Sequence, residues 1–188
     1  MMIPGVDYTE KFSPVVTDES LRLQIAITLF NKSVGWLMCN CDIEATFLEA
    51  PMTQPIYIEP HPAMVACGFM TENERKTHAI KLLKSMYGNV DAAIKFFKLL
   101  TDHLTDPNGM NMNQSKADPC LFYLMKNDKL TLIVTITVDD SAISGLPSDI
   151  EWFMNGLEKR FKITRDGEIK KHLGIDYEWG ITDKESIL

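Results

Sequence analysis

Long apolar runs are missing from this 188-residue chain. No stretch approaches the roughly 20 apolar residues of a membrane span, and the N-terminus lacks a signal-peptide layout, so no membrane role is expected. Cysteine is scarce. Cys39, Cys41, Cys67 and Cys120 form no CxxC pair, and Cys39 and Cys41 fall on one face of an apparent strand, where they pack rather than ligate. A reduced, intracellular compartment follows. His61, His78, His103 and His172 are scattered without metal-ligand spacing. There is no glycine-rich phosphate loop, no HExxH, no GxSxG and no internal repeat. Positive charge is also short: 19 Lys and Arg against 26 Asp and Glu give a net charge of −7, which argues against a general nucleic-acid binder.

What is present is an ordinary globular composition, 45% hydrophobic and 24% charged, long enough for one domain with a full core. Its charge is uneven. Residues 1–58 hold only Lys11, Arg22 and Lys32 as cations, whereas residues 156–172 hold Lys159, Arg160, Lys162, Arg165, Lys170 and Lys171. A solvated face accounts for that run, and a surface for a nucleic-acid backbone is the functional alternative.

The centre of the pattern is residues 130–145, LTLIVTITVDDSAISG. Two runs rich in Val, Ile and Thr read as strands, Leu130–Val138 and Ser141–Ser144, joined at Asp139-Asp140. Two adjacent carboxylates on a stiff connection are costly unless a cation sits there, and the alternative is a turn whose acids face water. An EF-hand register counted from Asp140 puts Gly145 and Glu151 correctly but Ala142 and Ser144 at ligand positions, so that reading fails.

Around this hairpin, Asp18 is expected to cap a well-buried helix to about Lys32, with Leu21, Ile25 and Leu29 on one stripe and Leu23, Ile27 and Phe30 on another. A strand at Trp36–Ile43 turns Leu37, Cys39 and Cys41 one way and ends near Asp42. Strands are expected at Ile56–Glu59, Ala79–Lys84 and Cys120–Met125, with a turn at Asn127-Asp128; residues 64–78 have no assignment. Helices are expected at Asp91–Thr105 and from Pro147, the latter with a Ser148–Glu151 capping box and a core stripe of Ile150, Phe153, Met154, Leu157 and Phe161. Asp166-Gly167 reads as a turn before a last strand, Lys171–Trp179. The sum is an α/β (α+β) fold, with helices packed on one face of an antiparallel sheet. Asp42 with Asp139 and Asp140 then forms a carboxylate constellation able to hold two divalent cations about 3.5–4 Å apart for in-line nucleotidyl transfer. Oxygen-only ligands favour Mg²⁺ or Mn²⁺.

In order along nearly the whole chain, the motifs resemble the reverse transcriptase of copia-type LTR retrotransposons. The landmarks are Gly5-Val6-Asp7-Tyr8, Phe12-Ser13-Pro14-Val15-Val16, Cys41-Asp42-Ile43 with Phe47-Leu48, and Ile56-Tyr57-Ile58-Glu59. They continue with Met86-Tyr87-Gly88, Lys116-Ala117-Asp118-Pro119-Cys120-Leu121-Phe122, Val138-Asp139-Asp140 and His172-Leu173-Gly174-Ile175. The resemblance implies a single domain over 1–188, a palm with partial fingers at about 51–88, in a transposable element's Pol polyprotein. It implies RNA-directed DNA polymerase activity on an RNA template and DNA primer with dNTP substrates, other Pol segments as partners, and a cytoplasmic, virus-like-particle or nuclear location. Asp42 and Asp139 would be the principal metal ligands and Asp140 the second acid. Phe47 would lie under the incoming sugar, and His172–Ile175 would grip the primer end.

Three departures stand out. Thr137 replaces the usual Tyr, Asp91 replaces the Gln that contacts the nucleotide, and basic residues near Asp91 are lost; helix capping is the other role open to Asp91. The first fingers strands, thumb, integrase and RNase H segments are not found, so a fragment with weak or no activity alone is expected. A catalytically dead palm-fold module binding nucleic acid or a protein stays open as an alternative, as does another metal-dependent phosphotransferase such as a nucleotidyl cyclase.

Overall fold

Val, Ile and Thr crowd the stretch around residues 130–145, and these residues form the central hairpin of the sheet in the computed structural model, which describes residues 12–179. The Gly5–Tyr8 landmark and the Pro4-Gly5 break lie outside the described residues. In chain order the elements are α1 (Asp18–Phe30), a 3-10 turn (Lys32–Val34), β1 (Leu37–Ile43), α2 (Thr46–Glu49), β2 (Pro51–Ile58), α3 (Pro62–Ala66), α4 (Glu72–Thr77), β3 (Ile80–Lys84) and α5 (Ala92–Thr105). There follow β4 (Asn113–Gln114), β5 (Leu121–Lys126), β6 (Lys129–Thr137), β7 (Asp140–Gly145), α6 (Pro147–Glu158), β8 (Ile163–Glu168), β9 (Lys171–His172) and β10 (Ile175–Asp176). They divide into two compact units, residues 45–102 with Phe12 and Ser13, and residues 14–44 with 103–179.

The second unit is built on a six-stranded sheet in the order β4-β5-β6-β7-β1-β8, with every pairing antiparallel. Residues directly opposite across such pairs share a face. Ile133 pairs with Ser144, Thr135 with Ala142, and Ser144 and Ala142 pair in turn with Met38 and Asn40, so these residues line one face. Helix α1 lies on it. Leu21 packs with Met38, Ala142 and Ile169. Gln24 is fully buried; its amide nitrogen lies 2.9 Å from Ala142 O, 3.1 Å from Ser144 Oγ and 3.3 Å from Ile133 O, and its carbonyl accepts from Thr135 Oγ1 at 2.7 Å.

The opposite face carries Leu132, Val134, Ile136, Ile143 and Cys41, all buried. Arg165 of β8 stands opposite Cys41 and therefore shares this face; its guanidinium reaches Glu151, Asn155 and Glu158 on α6. Helix α6 thus covers the second face. Helices flank the sheet on both sides, which corrects the expectation that they share one. The order of elements, from which that expectation comes, does not say which face a helix takes; the contacts of Gln24 and Arg165 do.

Helix α6 buries Ile150, Phe153, Met154 and Leu157 as its spacing predicts, with Phe161 following. Its N-cap is Leu146 with Pro147 in the first turn, not a Ser148–Glu151 box, because Glu151 is drawn to Arg165. Helix α1 is only partly buried. Its inward stripe is Leu21, Gln24 and Thr28, whereas Leu23 is 53% and Phe30 86% exposed. Its cap is Thr17 rather than Asp18, and Thr17 is itself tied to Asp118: the Thr17 backbone N–H and hydroxyl both donate to Oδ2 at 2.9 Å, and Cys120 N–H donates to Oδ1 at 2.8 Å.

Strand β1 turns Leu37, Cys39 and Cys41 to one face, opposite Gly145, Ile143 and Ser141 of β7, with Cys41 buried and Leu37 exposed at the start of the strand. Its other edge meets a bulge in β8: Cys41 pairs with Arg165 but Asn40 with Gly167, leaving Asp166 as the extra residue. Gly167 supplies the φ of 77° that the bulge requires, so Asp166-Gly167 is a kink within β8 and not a turn. The expected last strand is two short strands, β9 and β10, closed by Leu173-Gly174, both at positive φ.

In the first unit, β2 and β3 pair antiparallel, and β2 runs longer than the Ile56–Glu59 expectation. Residues 64–78 contain α4 and most of α3, α4 being entered through a Thr71–Glu74 capping box. Helix α5 begins at Ala92 and buries Ala92, Phe96, Phe97, Leu100 and Leu104.

Gln24→Leu should destabilise the protein by about 2–4 kcal/mol in chemical denaturation, since it strips Thr135 and two strand carbonyls of buried partners. Burial alone would raise the Asp118 carboxyl, but hydrogen bonds from Ser20, Thr17 and Cys120 outweigh it and hold the group below its ordinary 3.8. A lowered acid stabilises the folded state above its unfolded value, and that contribution is lost as pH falls through the lower folded value. Asp118→Ala should therefore cost about 2 kcal/mol at neutral pH, with the deficit shrinking below about pH 4 in melts taken across pH.

Candidate metal centre at the end of the central strands

The β6–β7 connection differs from expectation by one residue, and the difference decides where the acids point. Thr137 pairs with Asp140, so the two turn residues are Val138 and Asp139 and Asp140 already belongs to the strand. Val138 takes φ 57°, rare for a β-branched residue and costing about 1–2 kcal/mol. As a strand residue Asp140 must share the face of its partners. Asp42 of β1 stands directly opposite it, and Thr137 opposite it on the other side. Asp139 sits exposed in the turn, where its carbonyl accepts from Ile43 N–H at 3.0 Å and ties the turn to the end of β1. The structure therefore brings together the three predicted acids, Asp42, Asp139 and Asp140, at one end of the sheet.

Their electrostatics reflect this crowding. The half-buried Asp42 carboxyl is raised above its ordinary range, first by desolvation and then by the charges of Asp139, Asp140, Asp166 and Glu44. The neighbouring Cys41 thiol is pushed up to about 12 by burial and by the charges of Asp140, Asp166 and Asp42, so it is an inert packing residue. Mutual repulsion among oxygen-only donors is the condition a hard divalent cation relieves. In donor chemistry the site fits Mg²⁺ or Mn²⁺. Yet among the described residues no three His, Cys, Asp or Glu side chains are grouped so as to enclose a metal ion.

His172 bears on that shortfall, and the sequence reading did not connect it with the acids. Its side chain is fully buried, and Nδ1 stands 2.9 Å from Asp140 Oδ2, at ion-pair distance but without hydrogen-bond alignment. The half-buried Tyr177 is also near: burial and the Asp140 charge raise its hydroxyl above its ordinary value. The ring reaches Asp140 because the β9–β10 hairpin is anchored on the α1 face, through Ile169 N–H to Met38 O at 2.9 Å and the packing of Tyr177 and Trp179. The only sequence signal was the His172–Ile175 landmark, which says nothing of Asp140.

Phe47 and Asp91 belong to the other unit. Phe47 meets Tyr87 edge-to-face, ring centroids 4.9 Å apart, which links two of the sequence landmarks. Asp91 is buried and paired with Lys95, Oδ2 to Nζ at 2.7 Å, one helical turn on. Its charge is thus answered locally. The basic run at 156–172 is partly spent as well: Lys162 pairs with Glu44 at 2.6 Å, Arg165 with Glu151 and Glu158, and Lys171 with Asp176 at 3.8 Å. No described helix is long and apolar enough to cross a membrane.

Comparison with known proteins agrees with the motif order. A reverse transcriptase (RNA-dependent DNA polymerase) family profile matches residues 1–183. The chain is 26% identical over 92% of its length to the retrovirus-related Pol polyprotein from transposon RE1 of Arabidopsis thaliana, and 25% identical over 92% to that from transposon RE2. It is 24% identical over 91% to the Pol polyprotein from transposon TNT 1-94 of Nicotiana tabacum. The chain spans only 11–12% of the length of these relatives. No solved structure matches it. With the profile covering nearly every residue, this chain belongs to the reverse transcriptase (RNA-dependent DNA polymerase) family.

Proposed function

We propose that the sheet of the second unit is a polymerase palm, and that it serves primer-templated nucleotidyl transfer by an RNA-directed DNA polymerase. The observation that carries this is the register: β1 sets Asp42 opposite Asp140, and the Asp139 carbonyl is bound to the next residue of β1, Ile43. Asp42 and Asp139 are the ligands for Mg²⁺ or Mn²⁺, with Asp140 as the second acid of the pair. Bound there, divalent cations would activate a 3′-hydroxyl and steady the leaving pyrophosphate. The chain's own part is to hold the acids on a rigid strand pair, with the exposed Asp139 facing arriving ligands and Asp42 half-withdrawn beside it. From the family resemblance, Phe47 would stand under the incoming sugar and disfavour a 2′-hydroxyl. Residues 51–88, inside the first unit, would be the partial fingers.

A second reading has its own support. Asp140 turns to His172, no three-acid group encloses a cation among the described residues, and Asp91 stands where the family has Gln. These fit a palm-fold module that binds nucleic acid or a protein partner without catalysis.

The two readings separate in one experiment. Primer extension on an RNA template with Mg²⁺ or Mn²⁺, run beside Mn²⁺ titration, should show extension or at least metal binding. Asp42→Asn and Asp139→Asn should each abolish extension and weaken Mn²⁺ binding by more than about tenfold. Folded protein that neither extends a primer nor binds Mn²⁺ would sink the polymerase reading.

A further inference from the structure

The two adjacent acids do not have equivalent surroundings. Asp139 sits in the turn, exposed. Asp140 has a side chain 34% exposed and stands against a fully buried histidine ring. Three buried polar groups around it have no hydrogen-bond partner: both ring nitrogens of His172, the Tyr177 hydroxyl, and Oγ1 of Thr137, its register partner. Native structures leave few such atoms unpaired, so a group of them about one carboxylate asks for a reason.

The frame holding His172 is rigid. Leu173 and Gly174 close the β9–β10 turn at φ 49° and 79°, Ile175 pairs with His172, and Tyr177 N–H bonds Lys170 O at 2.9 Å. Trp179 Nε1–H donates to Ile169 O at 3.3 Å, and Tyr177 and Trp179 pack on the Leu21–Met38–Ala142–Ile169 cluster. The ring cannot withdraw without disturbing that packing. The Asp140 carboxylate, 34% exposed, has two neighbours to face: Asp42, which repels it, and His172, which offers an N–H in the Nδ1-protonated tautomer.

We propose that His172 is a positioning residue that draws the Asp140 carboxylate out of the metal's coordination shell, leaving Asp42 and Asp139 as the ligand pair. The inference rests on the reading of the site given above. It assigns the two neighbouring acids unequal tasks: Asp139 ligates, and Asp140 adds negative potential from the side. Tyr177 and Thr137 supply the polar wall against which Asp140 is held.

The test is Mn²⁺ titration of the full 188-residue chain, followed by electron paramagnetic resonance of free Mn²⁺, with folding of each variant checked by circular dichroism. His172→Phe keeps an aromatic ring and removes the N–H. It should release Asp140 to join the metal and tighten Mn²⁺ binding about fivefold, and Asp140→Asn in that background should erase the gain. His172→Asn keeps an amide N–H near the Nδ1 position and should restore the unmodified affinity. In the otherwise unmodified chain, Asp140→Asn should weaken Mn²⁺ by less than about threefold, against more than about tenfold for Asp42→Asn or Asp139→Asn. This arm stands even where His172→Phe does not fold.

Additive effects of His172→Phe and Asp140→Asn would overturn the inference while leaving the metal site intact. So would weaker Mn²⁺ binding by His172→Phe, which would mean that the ring presents Asp140 to the metal. Unchanged Mn²⁺ binding in Asp42→Asn and Asp139→Asn would overturn the site itself, and the inference with it.

Discussion

The pairing of β1 with β7 is the constraint on which the rest depends. Side chains alternate across a strand, so a slip of one residue would move Asp42 to the α6 face and carry Cys41 toward the acids. Packing on both faces opposes the slip, with Leu21 of α1 lying against Met38 of β1 and Ala142 of β7. Gln24 engages Thr135, Ala142 and Ser144 from the α1 face, and Arg165, opposite Cys41, is clasped by α6 from the other. The register is thus locked from both sides, and the position of the acids follows from packing far from them.

Along the α1 face, polar satisfaction runs out in one direction. Near its middle, Gln24 has a partner for each kind of polar atom it carries, and Asp118 accepts from three residues. At the acid end, Thr137 Oγ1, the His172 ring and the Tyr177 hydroxyl have no hydrogen bonds, Val138 is held at positive φ, and Asp42 is raised by its neighbours. Folding alone would select against each of these. The contrast lies within one face: the first region fixes the register, and the second carries the unpaired groups on which the proposed function rests.

Much of this was legible in the residues, and the failures have physical causes. The α6 stripe was readable because Ile150, Phe153, Met154 and Leu157 are both apolar and buried. Helix α1 misled because its inward face is centred on a glutamine while Leu23, Leu29 and Phe30 point outward; hydrophobicity does not announce a buried amide that finds four partners. The β6–β7 turn was placed one residue late because Asp is a better turn former than Val, yet pairing of Thr137 with Asp140 overrides that preference. The Asp166-Gly167 signal was real but local: the same glycine serves a turn or a bulge, and only the neighbouring strand decides. Asp42, Asp139 and Asp140 could be named because adjacent carboxylates among β-branched residues are conspicuous. The tie of His172 to Asp140 could not be read, since the two lie 32 residues apart and meet through a hairpin that periodicity reads as one strand.

Charge supplies the last step. The chain carries a net −7, and several of its cations are already committed: Lys95 to Asp91, Lys126 to Asp149, Lys162 to Glu44 and Arg165 to Glu151 and Glu158. Affinity for a polyanionic strand needs free cations, each displacing counterions, and the acid end of the sheet offers the opposite sign. A bound divalent ion would be the largest local charge there and would invert that field. Under the proposed function, metal loading must therefore precede any close approach of primer or nucleotide to Asp42 and Asp139. The same reasoning explains why Asp140 is better kept on His172 than placed among the ligands. Two divalent cations over Asp42 and Asp139 leave the loaded site formally at about +2, whereas Asp140 as a third ligand lowers it to about +1 and weakens its pull on the phosphates it has to receive.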